Sequence, residues 1–376
     1  MEMTGRERVL KAIDRQETDR VPKDLGSTNF SSITLNAYLK LLDYLNLTEL
    51  KEETKIISRY TQVVLPHHRV LERFNIDTRG VFMGPPDGWT DRDFDNDSYE
   101  DEWHVVRTKP QTSFYYDLTR SPLTGEISTK DVRNFAWPNP EDPGRIRPLR
   151  SQISDLKSEN KYARVLNLGI GPVHLTQYLR GFENWYIDIG MNDKTFFYLV
   201  ETVTDLILRM MGPSLETAGT DVDIVAIGDD LGHQHGLIIS PQAYRKFFKP
   251  VHAKMFGLIH NKTKAKVLLH SCGAVDGLIP DLIEIGLDIL NPVQVRAKDM
   301  DPKALKSKYG DQISFWGGID TQQVLSQGSP QDVQKEVALR ITQLGKGGGY
   351  VVNSVHNIQP DVSPQNICAL FDSVDH

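Results

Sequence analysis

Eight short apolar runs, most of them followed by a stretch of helical periodicity, constrain this chain more than any other feature. They fall at residues 21–26, 76–82, 164–169, 222–227, 265–270, 287–291, 313–317 and 349–353. Helical patterns over 192–211, 241–260, 275–285, 301–308 and 330–345 separate the later runs. Continuous apolar strands alternating with helices predict a parallel sheet covered on both faces. Eight β-then-α units are the number that closes a (β/α)8 TIM barrel, and that is the expected fold class. A doubly wound open sheet is the alternative. Its dinucleotide-binding form is disfavoured, because no G-x-G-x-x-G follows the first run. A length of 376 residues suits one large unit of this kind, so residues 1–376 are expected to form a single domain.

Two regions depart from the alternation. Residues 84–162 read as an excursion from the barrel. Pro85-Pro86-Asp87-Gly88 opens it with turn chemistry. Eight acidic residues then stand against Arg92 between Asp87 and Glu102, a run expected to be a solvated loop. The blocks 103–108 and 113–119, rich in aromatic and β-branched residues, predict a β-hairpin with Pro110 and Gln111 between them. Near the N-terminus, Thr4 and Glu7 form a capping box ahead of Val9, Leu10 and Ile13, which predicts an opening helix. Residues 33–73 read as two amphipathic helices.

Charge and cysteine content exclude several function classes. The net charge of −7 argues against broad electrostatic binding to nucleic acid or an anionic membrane. Two cysteines, Cys272 and Cys368, cannot make a disulfide scaffold and fit a reducing, cytoplasmic setting. The chain holds no 18-residue apolar run, and its charged N-terminus lacks the apolar core of a signal peptide.

In a parallel barrel, chemistry belongs where strands end and the following loops begin. Unusual polar residues stand at several of those points. Run 222–227 leads into Asp229, Asp230, His233 and His235. Adjacent strand residues point to opposite sides, so Asp229 and Asp230 are expected to do different jobs. Run 265–270 ends in His270-Ser271-Cys272-Gly273. Residues i and i+2 of an extended segment point the same way, so the imidazole and the sulfur converge. They supply two of the three protein ligands of a typical catalytic zinc site. The third is expected to be His356, just past the last run. Cys368 is the rival, but Ile367, Leu370, Phe371 and Val374 place it on an amphipathic helix as a small core residue. Asn291, Gln294 and Asp320 follow the sixth and seventh runs as candidates to hold substrate or orient a ligand, with helix capping as the alternative for Asp320.

Taken together, the motifs resemble those of the uroporphyrinogen decarboxylase superfamily. The resemblance rests on Arg6-Glu-Arg-Val-Leu, Asp19-Arg-Val-Pro22, Gly228-Asp-Asp-Leu-Gly232, His270-Ser-Cys-Gly273, Leu290-Asn-Pro-Val-Gln294, Gly317-Gly-Ile-Asp320 and Ser363-Pro-Gln-Asn366, in that order along nearly the whole chain. It implies the barrel and one of two activities. Decarboxylases of that superfamily hold a polycarboxylate tetrapyrrole with an arginine-rich stretch after the first strand. Here that stretch reads Lys23-Asp-Leu-Gly-Ser-Thr-Asn-Phe30, without arginine, and burying substrate carboxylates without guanidinium partners is costly. The other branch consists of zinc-dependent methyltransferases that work with a corrinoid protein, and there H-x-C plus a later Cys binds zinc. His270 and Cys272 match, while His356-Asn-Ile stands where that Cys is expected. Two neutral histidines and one thiolate leave a net positive zinc centre, suited to polarising a neutral oxygen. The resemblance thus implies transfer of a methyl group from a methoxylated, aromatic substrate to the cob(I)alamin of a corrinoid partner. It also implies Asp229 or Asp230 in orienting a metal-bound histidine or in proton handling, with Phe30 and Trp316 as candidates to flank the ring, core packing being the favoured role for each. Decarboxylation of a tetrapyrrole and non-catalytic corrinoid or tetrapyrrole binding are the alternatives. The sequence leaves cobalt or iron open as the metal, and a homodimer open as the assembly.

Overall fold

A computed structural model describes residues 3–375. Seven of the eight runs are strands of one parallel sheet. Its spatial order is Tyr350–Val351, Ser314–Trp316, Ile289–Asn291, Lys266–His270, Ile224–Gly228, Ala163–Ile170 and Thr78–Phe82. The remaining run closes the ring. Lys23 bridges Val352 in parallel, with the Val352 N–H donating to the Pro22 carbonyl (2.8 Å) and the Asp24 N–H to the Val352 carbonyl (3.0 Å). On its other side the Asp77 N–H donates to the Lys23 carbonyl at 3.0 Å. Pro22 has no N–H to give, which keeps this stave to a bridge instead of a full ladder.

Side chains sort by the two-residue period of the strands. Val165, Ile224, Ala226, Leu268, Ile289, Trp316 and Val351 point inward as one cluster, and Val9 and Ile13 of the opening helix Gly5–Ile13 plug it from the N-terminal end. Leu166, Val225, Ile227, Val267, Leu269, Leu290 and Phe315 point outward into the larger core under the helices. Two residues beyond the inward layer, the same period makes Asn167, Gly228, His270, Asn291 and Asn353 face the barrel mouth. Gly228, His270 and Asn291 are direct register partners.

Arginines and one carboxylate tie the closing stave in place. Asp77 is 2 % exposed. It accepts from Arg8 Nη1 (2.6 Å), Arg20 Nη1 (2.7 Å) and the Lys23 backbone N–H (2.8 Å). Removing one partner of a buried ion pair strands the other. Asp77→Ala is therefore expected to lower unfolding stability by about 3–5 kcal/mol, read as a shift in urea midpoint. A change below about 1 kcal/mol, the range of exposed pairs, would contradict the assignment.

Two segments differ from the sequence-based expectation. Within 33–73, the first helix is present at Leu35–Tyr44, but the second is only His68–Arg73. Between them lie the antiparallel strands Lys55–Ser58 and Val63–Leu65, where β-branched Ile56, Ile57, Val63 and Val64 override the helical reading. Residues 84–162 divide. Four antiparallel strands run from Arg92 to Arg120, and the expected hairpin is there as Val106–Thr108 against Asp117–Arg120. Pro143–Glu159 is a helix packed on the Thr78–Phe82 strand and so belongs to the barrel wall. The acidic run is not a loop, although Asp93, Asp95 and Asp97 are solvent-exposed as expected. It contributes two of the four strands, and Arg59, Arg145 and Arg147 neutralise Asp93, Glu102 and Asp87. No helix among the described residues is long and apolar enough to cross a membrane.

Candidate metal centre

The mouth of the barrel gathers the histidine and cysteine ligands anticipated from sequence. One ligand atom each from His270, Cys272 and His356 lies within 4.8 Å of the other two. His270 is the last residue of its strand, and Cys272 follows on the same side after one residue. Gly273 then turns away at φ +88°, a conformation open to glycine. His356 comes from the loop after the last strand.

The tautomer of His270 follows from its partner. Asn291 Nδ2 donates to the Trp316 carbonyl (3.1 Å), which turns its Oδ1 toward His270. His270 Nδ1–H therefore donates to Asn291 Oδ1 at 2.6 Å, and Nε2 carries a lone pair. That Nε2 stands 3.4 Å from Cys272 Sγ. Ligand atoms on a tetrahedral ion with bonds of ~2.0–2.3 Å sit about 3.3–3.8 Å apart, so the His270–Cys272 pair is spaced for a divalent ion, and His356 completes a donor set of the right chemistry within 4.8 Å. Burial pushes the His270 imidazole down to about 4 and lowers that of His356, which keeps both neutral as ligands require. Burial, with the Asp230 carboxylate beside it, pushes the Cys272 thiol up. Ionising that thiol needs a cation at the site.

The two carboxylates do separate, as their strand positions dictate. Asp229 is fully buried and accepts from the backbone N–H groups of Val173 (3.0 Å) and His174 (2.8 Å), at the start of helix Pro172–Arg180. Its Oδ2 also lies 2.9 Å from His252 Nε2. Asp230 faces the ligand cluster. Its Oδ1 accepts from the Cys272 N–H (2.7 Å) and lies 4.0 Å from His270 Nε2. His174 sits between them, Nδ1 3.4 Å from Asp229 and Nε2 3.5 Å from Asp230. Burial alone would lower its pKa, but the two carboxylates outweigh that and raise it to about 10. His174 follows its strand at a position where the strand-exit rule would have found it.

The other predicted residues take varied places. Gln294 Oε1 accepts from the Gly273 N–H at 2.7 Å and so holds the loop that carries Cys272. Asp320 is buried and accepts from Arg296 Nε (2.7 Å) and the Gln322 N–H (2.8 Å), the turn-capping alternative. His233 lies in the small hairpin Gly232–Leu237 with its side chain exposed. Cys368 sits half-buried against the core on helix Pro364–Asp372, outside the ligand cluster. Trp316 is a core residue whose Nε1 donates to Asp24 Oδ2 at 2.9 Å.

Two aromatic residues complete the mouth. Phe30 stacks on His270, with ring centroids 4.2 Å apart and planes 14° apart. It fits because Gly228 has no side chain, since a Cβ there would lie 2.2 Å from the Phe30 ring. Tyr115, delivered by the inserted sheet, brings its hydroxyl to 3.4 Å from His356 Nδ1. Sequence reasoning missed Tyr115, for which the only signal was the aromatic block around it.

A closed barrel with such a cluster at its strand ends defines a barrel enzyme. A model of the uroporphyrinogen decarboxylase (URO-D) family matches residues 118–376. The uroporphyrinogen decarboxylase of Psychromonas ingrahamii is 32% identical over 254 residues, 65% of this chain and 68% of that one. That of Hydrogenovibrio crunogenus is 23% identical over 183 residues, so the match spans about half of each chain, 48% of both. A methyltransferase from Methanosarcina mazei superposes over 100% of this chain and 99% of its own, with a TM-score of 0.69 and 16% identity, a likeness of fold. The chain belongs to the uroporphyrinogen decarboxylase family.

Proposed function

We propose that this chain is a cytoplasmic, divalent-metal-dependent methyltransferase. It would move a methyl group from a methoxylated, aromatic compound to the cobalt(I) corrinoid of a partner protein. The observation that carries the reading is the convergence of His270, Cys272 and His356 within 4.8 Å at the barrel mouth. A bound divalent ion, zinc by this donor set, supplies Lewis acidity that makes the ether oxygen a better leaving group.

The protein's own groups do the rest. Asn291 fixes the His270 tautomer, and Gln294 steadies the Cys272 loop. The corrinoid of the partner would accept the methyl group as a cobalt(I) nucleophile, and the ether oxygen, keeping the bonding pair, would need one proton. His174, between Asp229 and Asp230, whose carboxylates raise its pKa against the pull of burial, is the group placed to supply that proton beside the cluster.

The family's name points to tetrapyrrole decarboxylation as the rival. Against it, the stretch after the closing stave carries no arginine from Lys23 to Phe30. Lys23 itself is committed to Asp375 (2.8 Å) and the Phe371 carbonyl (3.2 Å). The test incubates metal-loaded protein with chemically reduced cobalamin and a panel of methoxylated aromatics. The expected result is the methylcobalamin spectrum together with the free phenol. Carbon dioxide release from uroporphyrinogen, with no methylcobalamin from any member of the panel, would overturn the proposal.

A further inference from the structure

Tyr115 joins the inserted sheet to the ligand cluster but has no part in the methyl-transfer steps. It lies in the segment between strands Val106–Thr108 and Asp117–Arg120. Its neighbour Tyr116 pins that segment. The Tyr116 N–H donates to the Tyr60 carbonyl (3.1 Å), its hydroxyl donates to Asp97 Oδ1 (2.6 Å), and its ring meets Tyr99 edge-on, centroids 5.0 Å apart. Tyr115 is thereby presented to the barrel mouth, where its hydroxyl stands 3.4 Å from His356 Nδ1. The Gln359 amide steadies that hydroxyl, since its Nε2 donates both to the Tyr115 oxygen and to the Asn357 carbonyl (3.2 Å).

The two histidines of the cluster are held in the same way. Asn291 occupies Nδ1 of His270 and leaves Nε2 for an ion. Tyr115 occupies Nδ1 of His356, and among the described residues no other side chain hydrogen-bonds that ring. Which nitrogen of an imidazole takes a metal is set by the hydrogen bond the other one makes. His356 therefore has Nε2 to offer. A phenol suits this place because it can either donate or accept. With no ion on the ring, the Tyr115 O–H donates to Nδ1, because its oxygen already accepts from Gln359. With an ion on Nε2, the neutral ring carries its one proton on Nδ1, and that N–H donates to the Tyr115 oxygen instead. The phenolic proton then needs another acceptor. Gln359 Oε1 is buried without a partner, and a half-turn of the amide brings it to the phenol.

We propose that Tyr115 is a positioning residue of the metal centre, whose hydroxyl holds Nδ1 of His356 so that Nε2 becomes the third ligand atom. The inserted sheet then completes the centre, and metal binding is coupled to the order of residues 109–116. The proposal rests on the reading of His270, Cys272 and His356 as ligands, and it requires nothing of the methyl donor or the corrinoid partner.

The experiment titrates zinc into the full chain against a chromophoric chelator, for wild type and Tyr115→Phe. Phenylalanine keeps the ring and removes only the hydroxyl. Zinc affinity is expected to fall by about 10–100-fold, the usual cost of removing the partner of a ligating histidine. Two further readouts separate this role from packing. Nitrogen-15 spectra of zinc-loaded, histidine-labelled wild-type protein are expected to show His356 protonated on Nδ1, with the signal assigned through His356→Ala. Zinc is expected to slow hydrogen exchange of the 109–116 amides in wild type and to leave it unchanged in Tyr115→Phe. Wild-type or tighter zinc affinity in Tyr115→Phe overturns the proposal. So does a zinc-loaded His356 protonated on Nε2, an outcome read on wild type alone and so independent of how the variant folds. A wild-type protein without zinc affinity also overturns it. Methyl transfer to reduced cobalamin, followed separately, keeps the two ideas apart. A Tyr115-dependent affinity without transfer retains this role and removes the methyltransferase reading, whereas transfer with equal affinities does the reverse.

Discussion

His270→Ala is expected to strip the site of its metal and, with it, all methyl transfer. His270 is 2 % exposed, and its Nε2 is the donor nearest Cys272 Sγ. Its tautomer is set by Asn291, so the site has no spare imidazole nitrogen at that position. Removing a hydrogen-bonding partner of a ligand costs about 10–100-fold in metal affinity. Removing the ligand itself must cost more. Competition with a chromophoric chelator should therefore show zinc affinity falling by well over about 100-fold in His270→Ala, and by about 10–100-fold in Asn291→Ala. Retention of wild-type affinity by His270→Ala would rule out this residue as a ligand.

Changing the two neighbouring carboxylates should have opposite consequences. Asp229→Ala removes three hydrogen bonds at a fully buried position, two of them to the first turn of helix Pro172–Arg180. It also leaves His252 buried with only the Tyr244 hydroxyl, 3.1 Å from its Nδ1. The expected cost is about 3–5 kcal/mol of unfolding free energy, measured by urea titration. Asp230→Asn keeps the shape and an oxygen for the Cys272 N–H, so its stability should stay within about 1 kcal/mol of wild type. It removes the charge that faces His174 and the ligand cluster, so methyl transfer should fall by about 10²–10⁴-fold, the usual worth of positioned proton transfer. Equal stabilities for the two variants, or full activity in Asp230→Asn, would refute the division of labour.

The barrel was legible because its strands are buried on both faces. Such strands read as continuous apolar runs, and seven of the eight runs are strands. The remaining run closes the ring through backbone bonds to Val352 and Asp77. The convergence of the three candidate ligands was legible for a related reason. His270 and Cys272 share a side through the two-residue period, and His356 stands past the last strand. What escaped notice depends on tertiary context. Tyr115 reaches the site only because the inserted sheet folds back over the barrel mouth, a contact across 241 residues. The exposure of the acidic run was legible, but its strands and its ion pairs were not, because the partners Arg59, Arg145 and Arg147 lie on distant segments. Asp320, a plausible site residue by position, is occupied by Arg296 and its own turn.

The most direct test of the metal centre is elemental analysis of the purified protein and of three variants, Cys272→Ala, His356→Ala and Cys368→Ala. The account predicts one divalent ion per chain in wild type and in Cys368→Ala, and far less than one in the other two. A wild-type protein that holds no ion after exposure to zinc, or a His356→Ala protein that keeps a full equivalent, would contradict it.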